Sequence, residues 1–259
     1  MQSVRVWDIP VRLFHWLLVL SITGLFITAN LGGNWMEWHK KIGFFTLGLV
    51  TFRIVWGFIG SYHARFSSFV RGPAAVIAYA RGLGKSRANF GAESSVELDA
   101  QPSSQPNAQP NNEHFLGHNP MGALSVIALL ASIAFQAVTG LYANDDILLE
   151  GPYASTVSKQ LSDQITNLHK INSEILIALI VLHLAAIIFY TIYKKEALVK
   201  AMITGEKMLN PGPEAESQAL FAGTHLGGPA EKARPAWRSW LLAFVVTALT
   251  YVVVMRAFW

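Results

Sequence analysis

Long apolar stretches separated by short polar ones dominate the chain. A helix that crosses a bilayer needs about 20 mostly apolar residues. Five stretches approach that length, at residues 11–29, 42–60, 121–143, 171–193 and 238–256. The pattern therefore predicts an all-α membrane protein with a four-helix transmembrane bundle and a fifth, C-terminal transmembrane helix.

Polar and small residues mark where these helices begin and end. Asp8 is a predicted N-cap and Pro10 lies in the first helical turn, where its missing N–H costs little. The link at 31–38 contains two glycines and predicts a tight turn at the outer surface. Short surface helices are predicted within 65–82 and at 155–168.

The same pattern divides the chain into a core and two additions. Residues 1–207 form the predicted four-helix core, interrupted at about 88–113 by a stretch rich in Ser, Gln, Pro and Asn that predicts a disordered cytoplasmic linker. Residues 208–236 are a Gly/Pro-rich cytoplasmic linker, and 237–259 contain the fifth helix.

Composition narrows the chemistry. Hydrophobic residues make up 52% of the chain and charged residues 14%, which is untypical of a soluble domain. The absence of cysteine excludes thiolate-held iron–sulfur clusters, disulfides and covalent c-type haem. The eight histidines are the available redox-centre ligands.

The basic residues indicate topology. The net charge is +4, but no dense basic run with interleaved aromatics suggests nucleic-acid binding. Basic residues gather before the first span, after the second, and between the fourth and fifth. The positive-inside rule then predicts a membrane protein, in contact with lipid on its apolar faces, with a cytoplasmic N-terminus and an external C-terminus.

Two histidines in the fourth span carry the strongest functional signal. His169 and His183 are fourteen residues apart, almost four helical turns, so they share one helix face about 21 Å apart along the axis. The predicted topology places His39 at the depth of His169, and His15 at about the depth of His183. A histidine in hydrocarbon is costly unless it faces the bundle interior and has a partner.

Paired imidazoles on facing helices are the axial ligands of a six-coordinate b haem. The sequence thus predicts two haems b per chain, an outer one held by His39 and His169 and an inner one held by His15 and His183. Haem propionates need cationic partners. Arg53 and Arg12 lie at the inner level and are predicted to bind there.

At these motifs the chain resembles the bacterial cytochrome b561 and Ni,Fe-hydrogenase-type cytochrome b family. The matching stretches extend to about Lys207 and are VWDIPVRLFHW at 6–16, WHKKIG at 38–43, FRIVWG at 52–57, ARFSSF at 64–69, LGHNPMG at 116–122, Leu168-His169 and Leu182-His183. The resemblance implies a four-helix dihaem cytochrome of the bacterial inner membrane that passes electrons between quinone and a partner redox protein such as a hydrogenase, a reductase or a cytochrome c. The linker before the third span and the fifth helix depart from the family pattern.

Other interpretations stay open at this point. The chain could be a non-haem membrane transporter or scaffold whose histidines handle protons or a metal ion, or a dihaem quinone reductase linked to superoxide or ascorbate. Whether it is an enzyme depends on whether quinone reacts on the chain itself. His63, His114 and His225 are expected to be solvated loop residues, and His118 is a candidate for a quinone or propionate contact.

Overall fold

A computed structural model describes most of the chain, namely residues 2–70, the positions 72, 74, 76, 77, 79 and 81, and residues 119–146, 149–209 and 237–256. Its long helices are α1 (Ile9–Leu31), α2 (Trp35–Ile59), α4 (Pro120–Gly140), α5 (Lys159–Ile192) and α7 (Trp237–Arg256). Shorter helices are α3 (Phe66–Phe69), α6 (Leu198–Thr204), and 3₁₀ turns at Tyr62–Ala64 and Ala154–Thr156. A two-stranded sheet joins β1 (Gln2–Arg5) to β2 (Glu206–Leu209).

Four of these helices, α1, α2, α4 and α5, are long and apolar enough to cross a membrane, which confirms the first four predicted spans. The fifth predicted span falls on α7, a helix of 20 residues, and its crossing of the membrane stays a prediction. The two predicted linkers, at about 88–113 and 208–236, lie almost entirely outside the described residues.

The helix ends follow from local chemistry. Asp8 caps α1 by accepting a hydrogen bond from Val11 N at 2.9 Å, and Pro10 lies in the first turn, as predicted. Asn119 caps α4 in the same way through Gly122 N at 2.6 Å. Between α1 and α2, Gly32 and Gly33 have φ angles of 62° and 53°, which a residue with a Cβ rarely adopts.

The predicted separate surface helix at 155–168 is wrong from residue 159 onward. Ser158 caps α5, and this helix then runs unbroken for 34 residues to Ile192. Its polar first turns contain neither glycine nor proline, so nothing in the sequence ends the helix before the apolar part begins. At 1.5 Å per residue the helix is about 51 Å long, well beyond a hydrocarbon core of about 30 Å.

The helices pack as a chain of neighbours around one apolar core. Close contacts join α1 to α2, α2 to α4, α4 to α5, and α2 to α7. The central core contains Phe14 of α1, Val50 of α2, Leu130 and Ile133 of α4, and Leu176 of α5. A second cluster contains Val11, Trp56, Ala64 and Ala243, and through it α7 packs against α2.

A carboxylate ties together the end of the bundle where α1 begins. Asp8 Oδ2 accepts hydrogen bonds from Trp56 Nε1 at 2.9 Å and Ser61 Oγ at 2.6 Å. Trp56 is completely buried and stacks on Phe52. We call this region, which contains Asp8, Trp56 and Ser61, the Asp8 end, and the opposite region around Gly32 and Gly33 the turn end.

The two-stranded sheet, which the sequence analysis does not predict, also lies at the Asp8 end. Its strands pair antiparallel, with Gln2 opposite Leu209 and Arg5 opposite Glu206. Gly205, with φ 84°, directs its carbonyl to accept from Val6 N and Trp7 N at 2.9 and 3.1 Å. The sheet therefore fastens the start of α1 to the segment that follows α5 and α6.

Replacing Asp8 with asparagine tests the carboxylate's role. Asparagine has one side-chain oxygen, so it can cap α1 or accept from Trp56 and Ser61 but not both, and its amide nitrogen then faces a donor at the other position. A buried donor left without an acceptor costs about 1–3 kcal/mol. We expect Asp8→Asn to lower the thermal unfolding midpoint in detergent, followed by circular dichroism. Glu37→Gln, a similar change at a half-exposed carboxylate, should leave it unchanged; equal midpoints for the two variants would contradict the assignment.

Gly57 provides a second test, of packing between α2 and α3. A Cβ added there would lie 2.2 Å from Phe66 Cε2, so the ring must move. Overpacking of this kind costs about 1–3 kcal/mol, and Gly57→Ala should be destabilised by that order. Gly43→Ala on the same helix is the control, because its Cβ would lie 4.0 Å from Leu25 Cδ2. Adding Phe66→Ala to Gly57→Ala should remove the steric part of the cost, seen as non-additive midpoints.

Candidate functional site

Four partly buried histidines line the interior of the bundle. His15 lies on α1, His39 on α2, and His169 and His183 on α5. Because α5 is unbroken between its two histidines, their rings leave the same side of the helix at two depths. His39 and His169 lie toward the turn end, and His15 and His183 toward the Asp8 end.

The structure brings the four rings together as two pairs. His39 and His169 lie near enough for a charge on one ring to affect the other, and so do His15 and His183. Among the described residues, α5 does not pack closely against α1 or α2. The two histidines of each pair therefore lie on helices with a wider gap between them than the gap between close neighbours. These are the pairs that the depth argument predicts, although their role as iron ligands stays a prediction.

The His39 ring is held by α1. Its Nδ1 lies 2.9 Å from Leu25 O and 3.3 Å from Thr28 Oγ1. A carbonyl oxygen can only accept a hydrogen bond, so the proton is on Nδ1 and the lone pair is on Nε2. The Nε2 atom makes no hydrogen bond to the described part of the chain, and it is available to a ligand.

The His169 ring is held by α4 in a similar way. Thr139 Oγ1 donates its proton to Phe135 O at 2.8 Å and lies 3.0 Å from His169 Nδ1. The hydroxyl proton is already used, so the oxygen accepts from Nδ1–H. The ring also lies against Gly140, where a Cβ would be 3.1 Å from His169 Cε1. The absence of a side chain at Gly140 thus allows the imidazole to approach the helix closely.

A buried polar network fixes the helix turn that carries His169. Gln136 Nε2 donates to His169 O at 3.0 Å, and Gln136 Oε1 accepts from Asn172 Nδ2 at 2.6 Å. Asn172 also bonds both the hydroxyl and the carbonyl of Ser132. Sequence reasoning missed this network; polar residues at 132, 136 and 139 on one face of an apolar span were the available signal.

The histidines nearer the Asp8 end have weaker partners. Ser125 Oγ lies 3.5 Å from His183 Nδ1, at the limit of a hydrogen bond. His15 Nδ1 is buried and has no hydrogen-bond partner among the described residues. The two pairs therefore differ in how firmly their Nδ1 atoms are bound.

The predicted cationic residues Arg53 and Arg12 both lie at the Asp8 end. Arg53 is only 4% exposed; its Nη1 donates to Ala64 O at 3.2 Å, and its guanidinium lies 5.0 Å from the Phe66 ring centre. It also interacts electrostatically with Asp8. Arg12 donates to Ile203 O through Nη2, and its Nε is buried without a partner in the described residues. Both guanidiniums thus have protein acceptors, and their predicted propionate contacts stay predictions.

His63 differs from the expected solvated loop residue. It lies in the 3₁₀ turn after α2, and its Nε2 is buried with no hydrogen-bond partner in the described part of the chain. Burial lowers the pKa of His63 below its ordinary value, while the nearby Asp8 carboxylate acts in the opposite direction. His114, His118 and His225 lie outside the described residues.

The residues present fit a b-type haem at each level. Two imidazoles are fewer ligands than a bare transition-metal ion takes in an ordinary protein site, but they complete a haem iron whose other four ligands are porphyrin nitrogens. In each pair at least one Nδ1 is engaged, as in most metal-binding histidines, whose second nitrogen donates to a protein oxygen.

Comparison with known proteins agrees with this chemistry. The model of the prokaryotic cytochrome b561 family matches residues 6–205. A probable Ni/Fe-hydrogenase B-type cytochrome subunit of Azotobacter chroococcum mcd 1 is 24% identical over 230 residues, covering 80% of this chain and 89% of the relative. Proteins of the same name from Rhizobium leguminosarum bv. viciae and Rhodobacter capsulatus are 22% and 23% identical, covering 80% and 79% of this chain and 90% and 81% of theirs. No solved structure matches the chain.

The family match spans residues 6–205 and so includes the four apolar helices and all four interior histidines. The chain therefore belongs to the prokaryotic cytochrome b561 family and is a bacterial multi-pass membrane protein that transfers electrons through b-type haem.

Proposed function

We propose that the chain binds two b haems, one between His39 and His169 and one between His15 and His183, and conducts electrons across the membrane between them. The observation that carries the proposal is the pairing of four imidazoles at two depths of one bundle. The iron would supply one-electron chemistry. Because each iron would have two histidine ligands, no coordination position remains for oxygen.

The chain's own residues set the environment of each site. Leu25 O and Thr139 Oγ1 fix the ring orientation of the turn-end pair. At the Asp8 end, buried Arg53 and the partly buried Arg12 would stabilise the propionates of the second haem, since anions in a low-dielectric interior need cationic partners. Lys40, Lys41 and Lys170 lie toward the turn end, where Lys40 is paired with Glu37.

We propose that the redox partners are quinone and a Ni/Fe hydrogenase. The relatives from Azotobacter, Rhizobium and Rhodobacter are named as B-type cytochrome subunits of that enzyme, which supports a protein partner of the same kind here. Other reductases and a soluble cytochrome c are the alternative protein partners. The distribution of basic residues supports a cytoplasmic Asp8 end and an external turn end.

The haem stoichiometry tests the first proposal. Purified wild-type protein should contain two b haems per chain by pyridine-haemochrome assay and show a haem difference spectrum on reduction. His169→Ala and His183→Ala should each retain about one haem, since each removes a ligand of a different site. His63→Ala, which changes another buried histidine, should retain both.

Two outcomes would contradict this assignment. No haem in the wild-type protein would end the dihaem proposal and favour the non-haem transporter or scaffold. Loss of one haem in His63→Ala, with no loss in His183→Ala, would move a ligand position from α5 to the turn after α2.

The partner proposal has its own test. In nanodiscs, a soluble quinol such as duroquinol should reduce the haem within the mixing time, and in membranes that contain a Ni/Fe hydrogenase the haem should become reduced under hydrogen. Omission of the hydrogenase is the control for the second measurement. Haem that dithionite reduces but neither donor reduces would exclude both partners.

A further inference from the structure

The two histidine pairs differ in the hydrogen bonds that their Nδ1 atoms make. His39 donates to a backbone carbonyl at 2.9 Å and lies 3.3 Å from the Thr28 hydroxyl. His169 donates to the Thr139 hydroxyl at 3.0 Å. At the Asp8 end, the closest contact is 3.5 Å from His183 to Ser125, and His15 Nδ1 has no partner among the described residues.

Thr28 and Thr139 share a local geometry that makes them acceptors. Each donates its hydroxyl proton to the carbonyl four residues earlier, Thr28 to Gly24 O at 2.7 Å and Thr139 to Phe135 O at 2.8 Å. A hydroxyl whose proton is already used offers only its lone pairs. Both side chains are almost fully buried, 4% and 6% exposed, so water does not replace these contacts.

An imidazole that donates from Nδ1 becomes a stronger electron donor through Nε2. Hydrogen bonds from a metal-binding histidine to a protein oxygen raise its basicity. A more basic axial ligand stabilises ferric iron more than ferrous iron, because ferric iron carries the larger positive charge. The ligand with the stronger Nδ1 acceptor therefore favours the lower midpoint potential.

We infer that Thr139 is a positioning residue. Together with Thr28 and the Leu25 carbonyl, it gives the His39–His169 haem the lower midpoint potential of the two. The inference rests on the proposed dihaem function. It assigns a favourable direction to electron transfer, because an electron that enters at the turn end moves to the haem of higher midpoint potential at the Asp8 end. The reverse movement is uphill and requires a lower-potential donor at the Asp8 end.

The two arginines at the Asp8 end act in the same direction. Buried Arg53 and the nearby Arg12 lie at the Asp8 end, and a cation near a haem favours the ferrous form, which has one positive charge less. Asp8 offsets part of the charge of Arg53. At the turn end, Lys40 is paired with Glu37 at 3.7 Å.

The experiment is a spectroelectrochemical titration of the purified holoprotein and its variants. Thr139→Val keeps the shape of the side chain and removes the acceptor. The midpoint potential of the lower-potential haem should rise by about 59 mV. For one electron this is about a tenfold change in the ratio of reduced to oxidised haem at a fixed applied potential. The other component should not move. Thr139→Ser should restore the wild-type value, because a serine can use its hydroxyl in the same way.

A matched control variant is Thr46→Val on α2. Thr46 is 2% exposed and donates to Ile42 O at 2.8 Å, as Thr139 donates to Phe135 O, but no hydrogen bond joins it to a histidine. It should leave both potentials unchanged. A shift as large as that of Thr139→Val would show a general packing effect and would overturn the inference.

The order of the potentials is tested without any threonine variant. His183→Ala should leave only the His39–His169 haem, and His169→Ala only the other, and the first should have the lower potential. The opposite order, or an unchanged titration in Thr139→Val with both haems bound, would overturn the inference while leaving the dihaem proposal intact. A wild-type protein without haem would instead overturn the proposed function.

Discussion

The fixed spacing of two imidazoles on one unbroken helix constrains the rest of the bundle. His169 and His183 cannot change their separation without breaking α5, a 34-residue helix without glycine or proline. Partners must therefore come from other helices at two set depths. The packing of the helices supplies these partners. One side of α5 packs against α4, and α1 and α2, which pack on each other, carry His15 and His39 opposite the histidines of α5.

Local sequence signals predicted the parts of the fold that depend on them. Asp8 with Pro10 marked the start of α1, glycines marked the turn before α2, and apolar length gave four spans. The histidine pairs followed from helix periodicity and topology alone, since both reduce a three-dimensional question to depth along one axis. The same reasoning failed at 155–168, where polar residues continue a helix that the apolar pattern alone would start later.

Contacts between distant residues could not be predicted from the sequence. The sheet pairs residues 2–5 with 206–209, about two hundred positions apart, and neither strand shows an alternating pattern long enough to identify. The Nδ1 acceptors of His39 and His169 depend on which residues of α1 and α4 face the neighbouring helix. The partial burial of His63 was not predicted, because loop composition indicates exposure. In the structure this turn lies beside Asp8 and the end of α2, which cover the ring.

The two ends of the bundle are stabilised by different means, and this difference bears on electron transfer. At the turn end, the polar groups Ser132, Gln136 and Asn172 bond across α4 and α5 inside an apolar span, where an unsatisfied polar group is costly. At the Asp8 end, a carboxylate joins the start of α1 to the end of α2 and the turn after it, and a short sheet joins segments outside the spans. The first arrangement immobilises an imidazole and keeps an acceptor against it, whereas the second provides none for His15 Nδ1 within the described part of the chain. An asymmetric scaffold of this kind makes the two sites chemically unequal even though each contains a pair of histidines.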